Sequence, residues 1–350
     1  MAQKSLFDEY YNRVLLPKLK ENDKIKHRYF LMFIVLLLMS IIFYPLVLWA
    51  ILTMSNDNAA DIGVILSASG FVIIILRGPV YFYKKKAKNT IMADFANFFG
   101  TFSYHNEQYL PDDLLRDSDL FGQYNIHKGD DYFCGTYKDV AITISEELLQ
   151  KEIIYTEVDE KFGNASQLNR RSRKKNTFRG ICILLTMNKN FKGRTVVLKD
   201  KGLFNFLKHI TGLERVKLED LYFEKLFEVY SSDQIEARYL LTTAFMERML
   251  KLTELYDGKS IQFSFNKNQL LLAIPTKQDM FEACSFFRSN INKKKIDRVF
   301  EQFYTVFSIV DVLKLNQKIG LWKTINLVYI LLKKLQNFCA LATFNKNRGD

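Results

Sequence analysis

Chemistry in a protein chain needs nucleophiles, acids, bases or metal ligands placed close together, and this chain supplies them sparsely. Its four histidines, His27, His105, His127 and His209, stand apart from one another and from the four cysteines, Cys134, Cys182, Cys284 and Cys339. No C-x-x-C pair or zinc-knuckle spacing occurs, so the ligand supply points to no metal and no cofactor. Scattered cysteines without a pairing pattern suit a reducing compartment. Glu146-Glu147 and Glu219-Asp220 are adjacent carboxylates. Neighbours on a strand or helix do not face one another, so these make poor acid–base pairs. Asn190-Phe-Lys-Gly-Arg194 has a single glycine and no helix start after it, which reads as a hairpin turn and not a phosphate loop. Patterns of the hydrolase and metalloprotease kind do not occur, and no residue is nominated as catalytic.

The stronger signals are ionic. Asp233 and Glu236 fall in the first turn of a helix that the spacing starts at Ser231, with Gln234 completing a capping box. Arg238 lies on another face of that helix, free to bridge to a second element, and neighbouring Tyr230, Tyr239 and Leu240 predict its partial burial. Two readings follow. These charges pin a helix to a sheet, or Arg194, Arg215, Glu236 and Arg238 line a polar cleft for an anionic ligand. A second concentration lies between residues 161 and 179, where Lys161, Arg170, Arg171, Arg173, Lys174, Lys175 and Arg179 occur with no acid. Of these, Arg170, Arg171, Arg173, Lys174 and Lys175 are expected at a membrane surface, because basic clusters are drawn to anionic head groups. The tract lacks interleaved aromatics for base stacking, which disfavours nucleic acid as the partner.

The elements that must position these groups begin with two uncharged apolar runs. Residues 29–56 and 62–76 contain no charge. A bilayer-crossing helix needs roughly 20 apolar residues. The first run has them, and the second reaches that length through residue 83 if Arg77 snorkels. Residues 29–83 therefore read as a transmembrane hairpin, with spans at 29–54 and 62–83. Lys24, Lys26 and Arg28 flank one end and Lys84, Lys85, Lys86 and Lys88 the other, while the connecting loop carries Asp57 and Asp61. By the positive-inside bias both termini face the cytoplasm.

Residues 1–28 read as an amphipathic helix at the interface, broken at Pro17. Residues 87–320 read as one cytoplasmic domain. Within it, 87–100 predicts a helix, 131–136, 141–145, 181–186, 195–198, 227–230, 261–265 and 270–274 predict strands, and 111–115, 203–209, 233–241, 244–256, 281–287 and 297–315 predict helices. Residues 161–179 read as a flexible basic hairpin insertion, and 321–350 as a basic, apolar tail that packs on the domain or lies on the membrane. Strands joined mostly by short turns with helices between them indicate an α+β fold on a largely antiparallel sheet.

Four segments in order, Phe191-Lys-Gly-Arg-Thr-Val-Val-Leu198, Leu213-Glu-Arg-Val-Lys-Leu-Glu-Asp220, Phe227-Glu-Val-Tyr230 and Asp233-Gln-Ile-Glu-Ala-Arg-Tyr239, carry a family resemblance. The chain resembles a bacterial domain-of-unknown-function family, the one numbered 3137, over roughly residues 7–287. The resemblance implies a two-helix membrane protein with a cytoplasmic domain and supplies no activity. The expectation is therefore a membrane-anchored binding or scaffolding protein, with the lipid bilayer and a protein of unknown identity as partners. The rival is a membrane-tethered enzyme acting on a phosphorylated or lipidic substrate through Arg194, Arg215 and Arg238.

Overall fold

The computed structural model of the chain describes residues 2–54, 58–158, 168–200, 212–256 and 260–315. The helix expected at 203–209 and the tail at 321–350 lie outside the described residues.

The N-terminal helix α1 (Ala2–Tyr10) passes through a π-helical stretch, Tyr11–Leu15, into α2 (Leu16–Met54). Pro17 does not end the helix as expected. It sits just after the π-helical stretch, where the hydrogen-bond ladder is already shifted, so its missing N–H breaks nothing further. The interfacial placement of this segment is also corrected. Phe7, Leu15 and Leu19 are fully buried, and Phe7 stacks on Phe300 at 4.1 Å. Its apolar face belongs to the domain core.

Helix α3 (Asn58–Asn97) runs back antiparallel to α2. The two helices are long and apolar enough to cross a membrane. In their apolar stretches the side chains point outward, with Trp49 68% and Ile74 69% exposed, and Tyr44 Oη lies 2.6 Å from Ser69 Oγ across the pair. Apolar exposure on that scale is what a lipid-facing surface shows and a water-facing one avoids. The same helix α3 then buries Tyr83, Ala87, Ile91, Met92 and Phe95. The helix expected at 87–100 is thus the lower part of α3 and not a separate element.

The remaining strands and helices are β1 (Thr101–His105), α4 (Asp112–Asp117), β2 (Ile126–Tyr137), β3 (Val140–Val158), β4 (Leu168–Thr186), β5 (Arg194–Lys199), β6 (Glu214–Val216), α5 (Leu221–Leu226), β7 (Phe227–Ser231), α6 (Gln234–Leu240), α7 (Thr243–Leu255), β8 (Gln262–Asn266), β9 (Gln269–Pro275) and α8 (Lys293–Leu313). The strands form one nine-stranded antiparallel sheet in the order β1-β2-β3-β4-β9-β8-β5-β7-β6. The architecture is α+β.

Period-two alternation sends Ile181, Ile183 and Leu185 to one face and Cys182 to the other. The first face is covered by α7, α8, the lower part of α3 and the N-terminal helix, through a chain of phenylalanines including Phe95, Phe133, Phe303 and Phe307. The second face carries a smaller core with Leu110, Leu115, Leu120 and Tyr124 around α4.

The basic segment, expected as a hairpin insertion, is a β-hairpin in its described part. Gln150 to Val158 of β3 pair with Asn176 to Leu168 of β4, so its described part is regular strand. Neighbouring strands stop short of this ribbon, since β2 ends opposite Gln150 and β9 opposite Gly180. A two-stranded arm of about 26 Å, at 3.3 Å per residue, projects from the sheet.

Candidate functional site

The sequence-predicted ligand residues do not converge. Glu236 of α6 accepts the backbone N–H of Lys192 on Oε1 (3.0 Å) and of Gly193 on Oε2 (2.6 Å), holding the turn that leads into β5. A Cβ at Gly193 would come within 2.9 Å of Ser232 Oγ and 3.0 Å of Asp233 Cβ, so glycine lets the turn approach the helix. Arg194 pairs with Asp119 (2.7 Å) and donates to the Asp117 carbonyl. Arg215 reaches Glu228 at 3.4 Å. Arg238 is exposed and donates from Nε to the Lys217 carbonyl at 3.4 Å, which corrects its expected partial burial. The helix cap is also two residues later than expected: Asp233 accepts from the N–H groups of Ile235 and Glu236, while Ser231 orients Asp233. Two surface hollows among the described residues, of about 630 and 220 Å³, are lined by none of these four groups.

The buried polar chemistry lies at the other end of the sheet, around Glu146 and Glu147. Their opposite orientation on β3 gives each a different cluster. On the helix-covered face, Glu146 accepts the Met280 N–H at 3.0 Å. Opposite it, the β2 register gains one residue between Asp130 and Phe133, and Asp131 takes φ +55°. This β-bulge turns Asp131 inward and returns Phe133 to the core face. Asp131 is fully buried and is met by Lys88 Nζ of α3 (2.7 Å) and Tyr104 Oη of β1 (2.7 Å). Lys88 also pairs with Glu282 at 2.7 Å.

Burial opposes the Lys88 charge, but the Asp131 and Glu282 carboxylates outweigh it and hold the ammonium above the ordinary lysine range. Burial pushes the Tyr104 hydroxyl up, and the Asp131 carboxylate adds to that. Glu146 has no cation partner among the described residues. Burial pushes it up to about 8, reinforced by Asp130 and Asp131 and opposed only by the Met280 N–H. One ammonium thus faces Asp130, Asp131, Glu146 and Glu282; burial raises Asp130 and pushes Asp131 up to about 7, and Glu146, with no cation bonded to it among the described residues, keeps a proton at neutral pH.

Asp130, Asp131 and Glu146 bring ligand oxygens within 4.8 Å of one another, a donor set of the kind that holds a hard divalent cation. Lys88 already supplies one positive charge at Asp131.

On the opposite face, Glu147 Oε2 lies 2.7 Å from His127 Nε2, while Glu147 Oε1 accepts the Leu110 N–H at 3.0 Å. His127 Nδ1 lies 3.3 Å from Asp112 of α4, and the Tyr109 ring covers the imidazole at 4.5 Å. A Cβ at Gly129 would meet Tyr109 Cβ at 2.4 Å, so only glycine admits this arrangement. His127, read as isolated in the sequence, is tied to two carboxylates.

The basic arm has one strongly charged face. Antiparallel pairing sets Lys151, Ile153 and Tyr155 beside Lys175, Arg173 and Arg171, while Glu152 pairs with Lys174 at 3.8 Å on the other face. The arm springs from a defined end of the sheet. Glu107, just after β1, bonds Tyr81 and Lys85 of α3, next to the apolar stretch. Because β1 and β2 are antiparallel, β2 approaches that level from Tyr137 toward Ile126, and Ile126 pairs with Gln150 at the arm's root.

An antiparallel sheet built onto the continuation of two apolar helices, with ionic clusters on both faces, defines the class as an α+β protein of the helix-anchored kind. Residues 176–315 match the family described as Protein of unknown function (DUF3137), which supports membership in that family. The matched segment runs from β4 through α8, so it starts later and ends later than the sequence resemblance suggested. No curated protein matches the chain. Among solved structures, the crystal structure of the mycobacterial trehalose monomycolate transport factor A is 12% identical, with a TM-score of 0.33 over 65% of this chain and 96% of that one.

Proposed function

We propose that this chain is a binding or scaffolding protein of a bacterial inner membrane, spanning it twice with both termini in the cytoplasm. The observation that carries the reading is the continuity of α2 and α3. Each runs unbroken from an apolar, outward-facing stretch into the buried core beside the sheet. A continuous helical connection of this kind holds the domain close to the bilayer, with Pro79 the point in α3 where it can bend. Lysines and arginines flank both spans and acids occupy the loop between them, which supports cytoplasmic termini.

The arm supports a second contact with the bilayer. It leaves the sheet from the end nearest the spans, and Arg170, Arg171, Arg173, Lys174 and Lys175 offer charge to anionic head groups at about 1 kcal/mol for each residue close to the surface. The arginines nominated for an anionic ligand are engaged with Asp119, Glu228 and a backbone carbonyl, which favours a scaffold over an enzyme built on them.

The test is capture of the intact protein from detergent-solubilised membranes, with mass spectrometry of bound proteins and lipids and a parallel turnover assay. The reading expects a stoichiometric protein partner together with anionic lipid that is lost when the five arm residues are replaced by glutamine. Turnover of a phosphorylated or lipidic substrate by the purified chain would overturn it.

A further inference from the structure

Residues 276–292, between β9 and α8, form an irregular segment in place of the helix expected at 281–287, and it crosses the place where α2 and α3 leave the domain. Its last part is pinned from both helices. Asp23 of α2 accepts from Ser289 Oγ (3.0 Å) and Asn290 Nδ2 (2.9 Å), and Lys26 donates to the Arg288 carbonyl (3.0 Å). Asn290 is fully buried and also bonded to Tyr83 Oη of α3. Phe286 is buried against Phe30, Phe33 and Tyr83.

Phe287 is the exception. It packs edge-on against Phe33 at 5.9 Å yet is 66% exposed, with Ile291 40% exposed nearby in the loop. A pinned loop that presents a phenylalanine outward gains nothing from water. Phe33 lies five residues beyond Arg28, the last charge before the apolar run, or about 7 Å along the helix axis at 1.5 Å per residue. That depth falls within the roughly 5–10 Å to which interfacial apolar groups enter the head-group and acyl boundary.

We propose that the loop at residues 286–291 is a lipid-inserting wedge. Phe287 and Ile291 enter the cytoplasmic leaflet beside α2, and the exposed Arg288 meets the head groups. The inference rests on α2 spanning the bilayer and adds a third, non-helical contact with it. The occupant is lipid because the exposed ring is continuous with the apolar surface of α2 through Phe30 and Phe33.

Tryptophan quenching by brominated lipid tests the two layers separately. In the full chain carrying Trp322→Phe, Trp49 reports on the span. In the full chain carrying Trp49→Phe, Trp322→Phe and Phe287→Trp, the new indole reports on the wedge. Both proteins are reconstituted in phosphatidylcholine–phosphatidylglycerol vesicles brominated either near the carbonyl end or near the methyl end of the acyl chains. The proposal expects the Phe287→Trp protein to lose most of its emission to bromine near the carbonyl end and much less to bromine near the methyl end. Quenching of Trp49 with none of the Phe287→Trp protein would overturn the wedge and leave the anchor standing, the loop then facing water or another chain. Absence of quenching in both would overturn the span and the wedge together.

Discussion

The Lys88–Asp131–Glu146 cluster and the Arg194–Glu236–Arg238 region are both networks of charge on the same sheet, and they differ in what water can do for them. At the first, a bulge and a helix shut solvent out, so each charge depends on its neighbours. At the second, the arginines lie at the surface on strands and a short helix, each bonded to a different partner. Burial, more than the number of charges, separates a network that determines stability from one that decorates an edge. Substitutions that leave a buried charge unpaired should therefore separate the two regions clearly.

The largest effect is expected from Lys88→Met, which leaves Asp131 buried without a cation. Loss of one partner of a buried pair costs about 3–5 kcal/mol, measurable as a drop in denaturation midpoint of the intact protein in detergent. Adding Asp131→Asn should recover most of it, since the unpaired charge is then gone. Equal losses in the single and double variants would place the effect in packing and erase the contrast between the regions.

The next effect is on pH dependence. Glu146 in the fold sits near 8, above its ordinary 4.5, so the protonated form favours folding. Its contribution is fully present below about pH 4.5 and is lost as pH rises through 8, by on the order of 2–4 kcal/mol. Glu146→Gln, which keeps the shape without the proton, should flatten the fall in stability between pH 5 and 8. A slope unchanged by this substitution would assign the pH dependence to Asp130 or Asp131.

The smallest effects belong to the second region and should be unequal within it. Glu236→Ala strips two backbone N–H groups of their acceptor and should cost about 1–3 kcal/mol. Arg238→Ala removes an exposed side chain with one long hydrogen bond and should cost at most about 1 kcal/mol. A larger loss for Arg238→Ala than for Glu236→Ala would show that the surface reading of this arginine is mistaken.

Much of the architecture was legible because it is written in local pattern. Uncharged runs gave the two long helices, and alternation gave β4, β5 and β9 with their turns. The N-terminal segment was misread because amphipathic spacing is the same whether the apolar face meets lipid or a protein core; Phe95, Phe98 and Phe300, all distant in sequence, decide it for Phe7. The arm was expected as a hairpin, but the extent of its strands was not legible because polar β-strands without a buried face lack alternation. Glu146 and Glu147 were rightly judged not to face one another, yet the conclusion drawn was too narrow. The groups around them, Asp131, Lys88 and His127, come from a bulge, a distant helix and the neighbouring strand, and neither the extra residue of a bulge nor a long-range lysine shows in sequence spacing. The nominated arginines were found where expected in the chain but spent on separate contacts.

The central claim, that the two apolar helices span a membrane and hold the sheet domain on its cytoplasmic side, is tested most directly by cysteine labelling in intact bacterial cells. Single cysteines replace Asp57 in the loop between the helices and Lys85 or Lys138 in the domain, each in a chain whose native cysteines are serine. An impermeant maleimide added outside should label the Asp57→Cys protein in unbroken cells, and the Lys85→Cys and Lys138→Cys proteins only after permeabilisation. Labelling of the Lys138→Cys protein from outside, with the Asp57→Cys protein protected, would contradict the account.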